Sequence, residues 1–258
     1  MIWREWKKIY LKIVREFNYS VSEDLKAAKI LNNLIHGKAC SIRYLKKIFA
    51  DKSLIVVFGA GPSLEFDLEE FLEAGILEIS VIVVVDGASR LFLEKGLRVD
   101  IVVTDLDGGD EVLIDVSRKC RVMVVHAHGD NIDKILSLVP KISCRILGTT
   151  QCKPFGYLYN FGGFTDGDRA VFFSDNLPQK VIVLAGMDFG EEIGRYSKNI
   201  NGIDQSRLEI KKRKLMVGKR LLELYASRSN KKLYNVTRFG EEIKGFRRTS
   251  FKELAKLI

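Results

Sequence analysis

Thr104-Asp105-Leu106-Asp107-Gly108 sets two carboxylates two residues apart. On an extended segment, positions i and i+2 project to the same side. Carboxylates held that way repel unless a cation lies between them. Mg2+ suits the place, because it takes one or two carboxylates together with phosphate oxygens. A solvated Asp-rich turn is the plainer reading. Asp86 can hold a metal or a ribose hydroxyl. Asp130 and Asp133 stand three apart at an expected helix start, on one face. Either can complete a metal site, although the helix dipole alone also favours a carboxylate there. His126 and His128 look like a metal pair. The third histidine, His36, lies in the helical extension and no cysteine is near, so zinc is disfavoured and structural or phosphate-contacting roles are expected.

A second group of residues suits phosphate. In Gly59-Ala60-Gly61-Pro62-Ser63-Leu64, the two glycines let backbone amides approach an anion, and Ser63 can cap the following helix. Leu64 stands where a dinucleotide fingerprint has its third glycine, so an ordinary tight strand–helix turn competes with this reading. Gly148, Thr149 and Gln151 form another polar strand end and are assigned to the nucleotide. Lys211 and Lys214 share a helix face that can point at phosphates; for any single lysine, a solvated face is the stronger reading. Asn160 to Arg169 is rich in glycine and aspartate. There Phe161 and Phe164 could sandwich a planar ring, and an aspartate could pair with an amino-pyrimidine edge. A packed Ω-loop is the alternative.

The elements that position these residues are short β-branched runs: Leu54–Phe58, Val81–Val85, Ile101–Val103, Val122–Val125, Arg145–Leu147 and Val181–Ala185. They are apolar on both faces, as buried parallel strands are. Helical stretches such as Leu64–Ala74, Ser89–Lys95, Glu111–Lys119 and Asn131–Leu138 alternate with most of them. The expected fold is α/β, a Rossmann-like, doubly wound, mostly parallel sheet with helical N- and C-terminal extensions. Residues 1–52 form the N-terminal helical region, with Ile2, Trp6, Ile9, Ile13 and Phe17 at helical spacing and Ser20 with Glu23 opening a second helix. Residues 53–200 form the catalytic core. Residues 201–258 form a basic, mostly helical region packed on it, with one strand expected at Lys232–Val236. Every core strand ends in glycine or a polar residue, and such sheets bind ligands at those ends.

Composition sets the outer limits. The 258 residues are 47% hydrophobic and 29% charged, which excludes a disordered chain. No apolar run approaches the roughly 18 residues of a membrane span, and charges interrupt the N-terminus where a signal peptide would be apolar. Cys40, Cys120, Cys144 and Cys152 form no Cys-x-x-Cys pair, so reduced thiols and a cytoplasmic location are expected. The net charge of +9 divides into +7 for residues 1–52, −10 for 53–194 and +12 for 195–258. An acidic middle holds the candidate metal ligands, and basic ends supply cations. That division argues against a nucleic-acid partner, as does the lack of interleaved aromatics around Lys211–Arg220.

The motifs after the first, second, third and fourth strands, together with Asn160-Phe161-Gly162-Gly163-Phe164-Thr165-Asp166-Gly167-Asp168-Arg169, resemble in sequence and order the archaeal type of 6-hydroxymethyl-7,8-dihydropterin pyrophosphokinase. The aspartate arrangement is also similar to that of thiamin pyrophosphokinases. The resemblance implies ATP as co-substrate, Mg2+, and attack of a pterin alcohol on the β-phosphorus with release of AMP. It implies metal ligation by Asp105, Asp107 and Asp130, with Asp86 assisting. The nucleotide would meet Gly59, Gly61, Ser63, Gly148, Thr149, Gln151, Lys211 and Lys214. The chemistry of the 160–169 loop, rather than the resemblance, places the pterin against Asn160, Phe161, Thr165, Asp166, Asp168 and Arg169. A homodimer is compatible with these features. A nucleotide-sugar-dependent glycosyltransferase-like protein is the alternative, and a basic nucleic-acid-binding protein the second alternative.

Overall fold

The computed structural model describes residues 3–190, 192–197 and 205–257. Ile2 and the expected boundary at 200/201 lie outside them. Three helices come first: α1 (Trp3–Phe17), α2 (Val21–Leu34) and α3 (Ile42–Ile48). Ser20 and Ser41 cap α2 and α3 by accepting backbone N–H bonds from Glu23 and Tyr44. Strands and helices then alternate as β1 (Leu54–Phe58), α4 (Leu64–Glu73), β2 (Ser80–Val85), α5 (Ser89–Glu94), β3 (Ile101–Thr104), α6 (Asp110–Ser117), β4 (Val122–Ala127), α7 (Ile132–Leu138) and β5 (Arg145–Thr150). After them come β6 (Leu158–Tyr159), α8 (Asp166–Ser174), β7 (Val181–Ala185), α9 (Gln205–Ala226), β8 (Lys232–Asn235), β9 (Arg247–Arg248) and α10 (Phe251–Leu254).

Among the described residues, nine strands form one parallel sheet in the order β6-β5-β4-β3-β2-β1-β7-β8-β9. The chain winds outward from β1 to β6, then returns to place β7 on the other side of β1. This is the doubly wound α/β fold that the β-branched runs predict. The C-terminal region is not only helical: β8 and β9 extend the same sheet.

Both faces are covered because the central strands are apolar on both sides. All five residues of β1 are buried. Leu54, Val56 and Phe58 pack with Leu31, Leu68, Phe92 and Phe251 on one face. Ile55 and Val57 pack with Trp6, Leu45, Phe173 and Leu222 on the other. Each side chain so buried contributes on the order of 1.5–3 kcal/mol. The sheet is thus a rigid platform whose carboxyl edge presents polar loops. The four cysteines are unbonded, with Cys120 Sγ 3.5 Å from Cys144 Sγ. No described helix is long and apolar enough to cross a membrane.

Candidate active site

A cavity of about 380 Å³ opens along the carboxyl edge of the sheet. The ends of six strands line it: Gly59–Pro62 after β1, Asp86 and Gly87 after β2, Asp105 after β3, His128 after β4, Gln151 after β5 and Gly186–Phe189 after β7. The strand order sorts them in space. The β1 and β7 loops form one end, at the point where the winding reverses. The β4 and β5 loops form the other, with the β2 and β3 aspartates between them. The first half of α9 adds Arg207, Ile210, Lys211, Lys214 and Leu215, and α2 adds Asp24.

Between the two ends, Asp86, Asp105, Asp107 and Asp166 converge, each offering a carboxylate oxygen within 4.8 Å of the others. The Asp105–Asp107 segment does not achieve this by extension. Leu106, fully buried, takes a left-handed φ of +73°, and its N–H donates to Thr104 Oγ1 at 2.7 Å. Asp86 is also left-handed, at φ +26°. Such backbone is unfavourable for residues other than glycine and recurs at functional sites. Gly108 makes the approach feasible, since a Cβ there would lie 2.9 Å from the Asp86 carboxyl carbon. Glycine at this position therefore allows close packing against Asp86.

Charge crowding shapes the cluster. Burial, and then the charge of Asp105, push the Asp166 carboxyl well above the usual carboxylate range, with Arg169 opposing them. Arg169 donates to Asp166 Oδ1 at 2.7 Å and to the Phe164 carbonyl at 2.8 Å. Four hard oxygen donors at this separation, with the Arg169 guanidinium held on Asp166, fit a divalent cation. The ion would relieve the repulsion that otherwise favours protonated Asp166.

The expected fourth carboxylate is corrected. Asp130 is not in the cluster: its side chain is 68% exposed, 3.9 Å from His128 Nδ1. Asp166, expected at the pterin, takes that place because residues 166–169 are not loop but the first turn of α8, which aims the carboxylate at β3. His128 caps the turn before α7, accepting from Asp130 N at 3.3 Å, and its Nε2 lies 3.4 Å from Asp105 Oδ2. His126 is buried, held by Thr149 Oγ1 at 3.0 Å, and burial keeps its ring neutral.

Other expected contacts prove structural. Ser63 does not cap α4; it is buried, donates to Asp188 Oδ1 at 2.5 Å and accepts from Phe239 N at 2.8 Å. Gly148 and Thr149 lie inside β5, which runs to Thr150. A Cβ at 148 would meet Leu158 and Ile35, and Thr149 donates to the Val125 carbonyl. Neither lines the cavity. Gln151 lines the cavity, but at the β5 end, away from Gly59 and Gly61. Asp168 is buried, accepting from Phe164 N at 2.6 Å and Thr165 N at 2.8 Å, and Thr165 is tied to it in a capping box. Asn160 donates to the carbonyls of Gln151 and Cys152. Phe161 stacks on Tyr159 while Phe164 packs with Phe17, so they do not sandwich a ring. Gly59, Gly61, Lys211, Lys214, Thr165, Asp166 and Arg169 do line the cavity.

Three supporting residues carried no expectation. Thr104 donates to Asp86 Oδ1 at 2.5 Å. Asn131 donates to the Asp105 and His126 carbonyls, both at 2.7 Å, joining the ends of β3 and β4. Asp67, buried under the β1 loop, accepts from Gly186 N and Arg238 N. All three are polar residues beside expected strand or helix ends, a signal too common to single them out.

A family model described as 6-hydroxymethylpterin diphosphokinase MptE-like matches residues 28–194. The chain is 44% identical over 225 residues to the 6-hydroxymethyl-7,8-dihydropterin pyrophosphokinase of Pyrococcus furiosus, covering 86% of this chain and 94% of that protein. It is 39% identical over 229 residues to the protein of the same name from Methanocaldococcus jannaschii, covering 85% and 93% respectively. A third such protein, from Methanothermobacter thermautotrophicus, is 42% identical over 197 residues, 76% of this chain and 82% of that one.

Proposed function

The chain belongs to the MptE-like 6-hydroxymethylpterin diphosphokinase family, and from that premise we propose that it moves the β,γ-diphosphate of ATP to the hydroxymethyl group of 6-hydroxymethyl-7,8-dihydropterin, releasing AMP. The observation that carries this reading is the four-carboxylate cluster in a cavity that also reaches the β1 and β7 loops on one side and the β4 and β5 ends on the other. The product belongs to pterin biosynthesis of the folate or methanopterin type.

Asp86, Asp105, Asp107 and Asp166 would hold Mg2+. When bound, the ion neutralises triphosphate charge and fixes the geometry of displacement. The remaining work falls to the chain. Gly59–Pro62 and Gly186–Asp188 flank the switch point of the sheet, where α/β folds bind nucleotides. Lys211 and Lys214 enter from α9 to balance phosphate charge. Thr104 fixes Asp86, and Arg169 fixes Asp166. The alcohol oxygen forms a bond to the β-phosphorus as the bridge between the α- and β-phosphorus breaks. AMP leaves with the bridging oxygen. The hydroxyl proton is released to solvent, while His128, whose Nδ1 accepts from Asp130 N, turns its Nε2 toward Asp105 and helps hold that carboxylate. Such transfer depends mainly on positioning and charge stabilisation.

The test is incubation with ATP, Mg2+ and the pterin alcohol. The expected products are AMP and pterin diphosphate in equal amounts. Formation of ADP with a pterin monophosphate, or no nucleotide turnover, overturns the reading.

A further inference from the structure

Gln151 follows β5 at the end of the cavity remote from the β1 and β7 loops. It is only 6% exposed, and its Oε1 is buried without a hydrogen-bond donor among the described residues. A buried acceptor left this way is unfavourable unless a ligand supplies the N–H. Asp24 of α2, 4% exposed, lines the same cavity. Its Oδ1 accepts from Gly129 N at 2.7 Å and its Oδ2 from the Tyr10 hydroxyl at 2.6 Å. Each carboxylate oxygen can accept a second bond, so Asp24 is oriented but not saturated.

Helix α1 holds both groups. Trp6 Nε1 donates to the Gln151 carbonyl at 3.2 Å, and the Tyr10 hydroxyl that serves Asp24 lies 4.0 Å from Cys152 Sγ, the next residue after Gln151. Aromatic rings stand nearby. Tyr19 and Phe164 line the cavity with centroids 6.3 Å apart, and Lys214 Nζ lies 5.5 Å from the Tyr19 ring centre.

We propose that Asp24 and Gln151 recognise the 2-amino-4-oxo-pyrimidine edge of the pterin, making the N-terminal helices, not the 160–169 loop, the substrate end of the site. This rests on the pterin reading above. That edge presents two adjacent donors, the 2-amino group and N3–H, which match a carboxylate and an amide oxygen. Adenine presents an acceptor nitrogen beside its amino group, so the pair rejects the base of ATP and separates the two substrates. The pterin then meets the carboxylate cluster with its hydroxymethyl group directed toward the middle of the cavity.

The test compares wild type with Gln151→Leu and Asp24→Asn. One arm titrates the fluorescent oxidised hydroxymethylpterin without nucleotide; the other measures KM for each substrate. Gln151→Leu should raise pterin Kd and KM roughly tenfold while leaving the ATP KM within about twofold. An analogue methylated at N3, which removes the donor matched to Gln151, should bind wild type weakly and lose little further in Gln151→Leu. If Asp24→Asn fails to fold, Gln151→Leu decides, because its side-chain oxygen has no partner to lose. Wild-type turnover with unchanged pterin affinity in the folded variants sinks this inference alone. Pterin binding that depends on Gln151 without any diphosphate product keeps it and removes the kinase reading. No pterin binding by wild type overturns both.

Discussion

Thr104 donates its hydroxyl to Asp86 across neighbouring strand ends, with 2.5 Å between Oγ1 and Oδ1. The same oxygen accepts the Leu106 N–H at 2.7 Å. One hydroxyl therefore couples two residues with left-handed backbone and sets the spacing of the aspartates on β2 and β3.

Thr104→Val removes that hydroxyl at nearly constant volume. Turnover should fall roughly 10- to 100-fold, the usual effect of losing a group that orients a metal ligand. The Mg2+ concentration for half-maximal rate should rise, and Thr104→Ser should recover most of the loss. An unaltered Mg2+ titration in the valine variant would count against the role of Thr104.

Asp166 and Asp130 separate the tertiary structure from the sequence expectation. Asp166→Asn should cut turnover on the order of a thousandfold and abolish the rise in melting temperature on adding Mg2+ or Mn2+. Asp130→Asn should leave both near wild type. The reverse pattern would return Asp130 to the metal site.

Gly61 lies where the β1 loop meets the β7 loop. A Cβ would fall 2.0 Å from Asp188 Oδ2 and 2.7 Å from the Gly186 carbonyl. Gly61→Ala should destabilise the fold by about 1–3 kcal/mol, as overpacking does. Urea unfolding measures the difference; a stability equal to wild type would show that the loops part freely.

Asp67 predicts a pH dependence of stability. Burial raises its carboxyl from the ordinary 3.8 to about 7, against the pull of the Gly186 and Arg238 N–H groups. Below pH 3.8 both folded and unfolded states carry the proton. As pH rises from about 4 to about 7 the unfolded chain releases it and the folded protein keeps it, so stability declines across this window and levels off above it. Asp67→Asn should flatten that decline. Equal slopes for wild type and variant in denaturation from pH 4 to 8 would show another group to be responsible.

Much of the scaffold was legible in the sequence, because parallel strands buried on both faces must be apolar along their length. Leu54–Phe58 and Val181–Ala185 match β1 and β7, and the other core strands differ only by extension at their ends. Strands β6 and β9 escaped because two residues carry no periodicity. The carboxyl edge was also legible: all six expected strand ends line one cavity. The start of α8 was not, because Thr165 and Asp168 spell a capping box within a run that glycine and aspartate make look like loop.

The sequence by itself determined the α/β alternation, the polar edge and the Asp105–Asp107 pair, all of which depend on neighbours within a few positions. Only the tertiary structure decided which carboxylates meet and which end faces which ligand. Asp86 and Asp166 are 80 positions apart and converge because β2 adjoins β3 and α8 begins over their ends. Asp24 and Gln151 converge because α1 bonds both neighbourhoods. Local spacing states where a side chain points along its own element. Strand order, backbone sign at Asp86 and Leu106, and the packing of helices against the sheet bring distant side chains into one site.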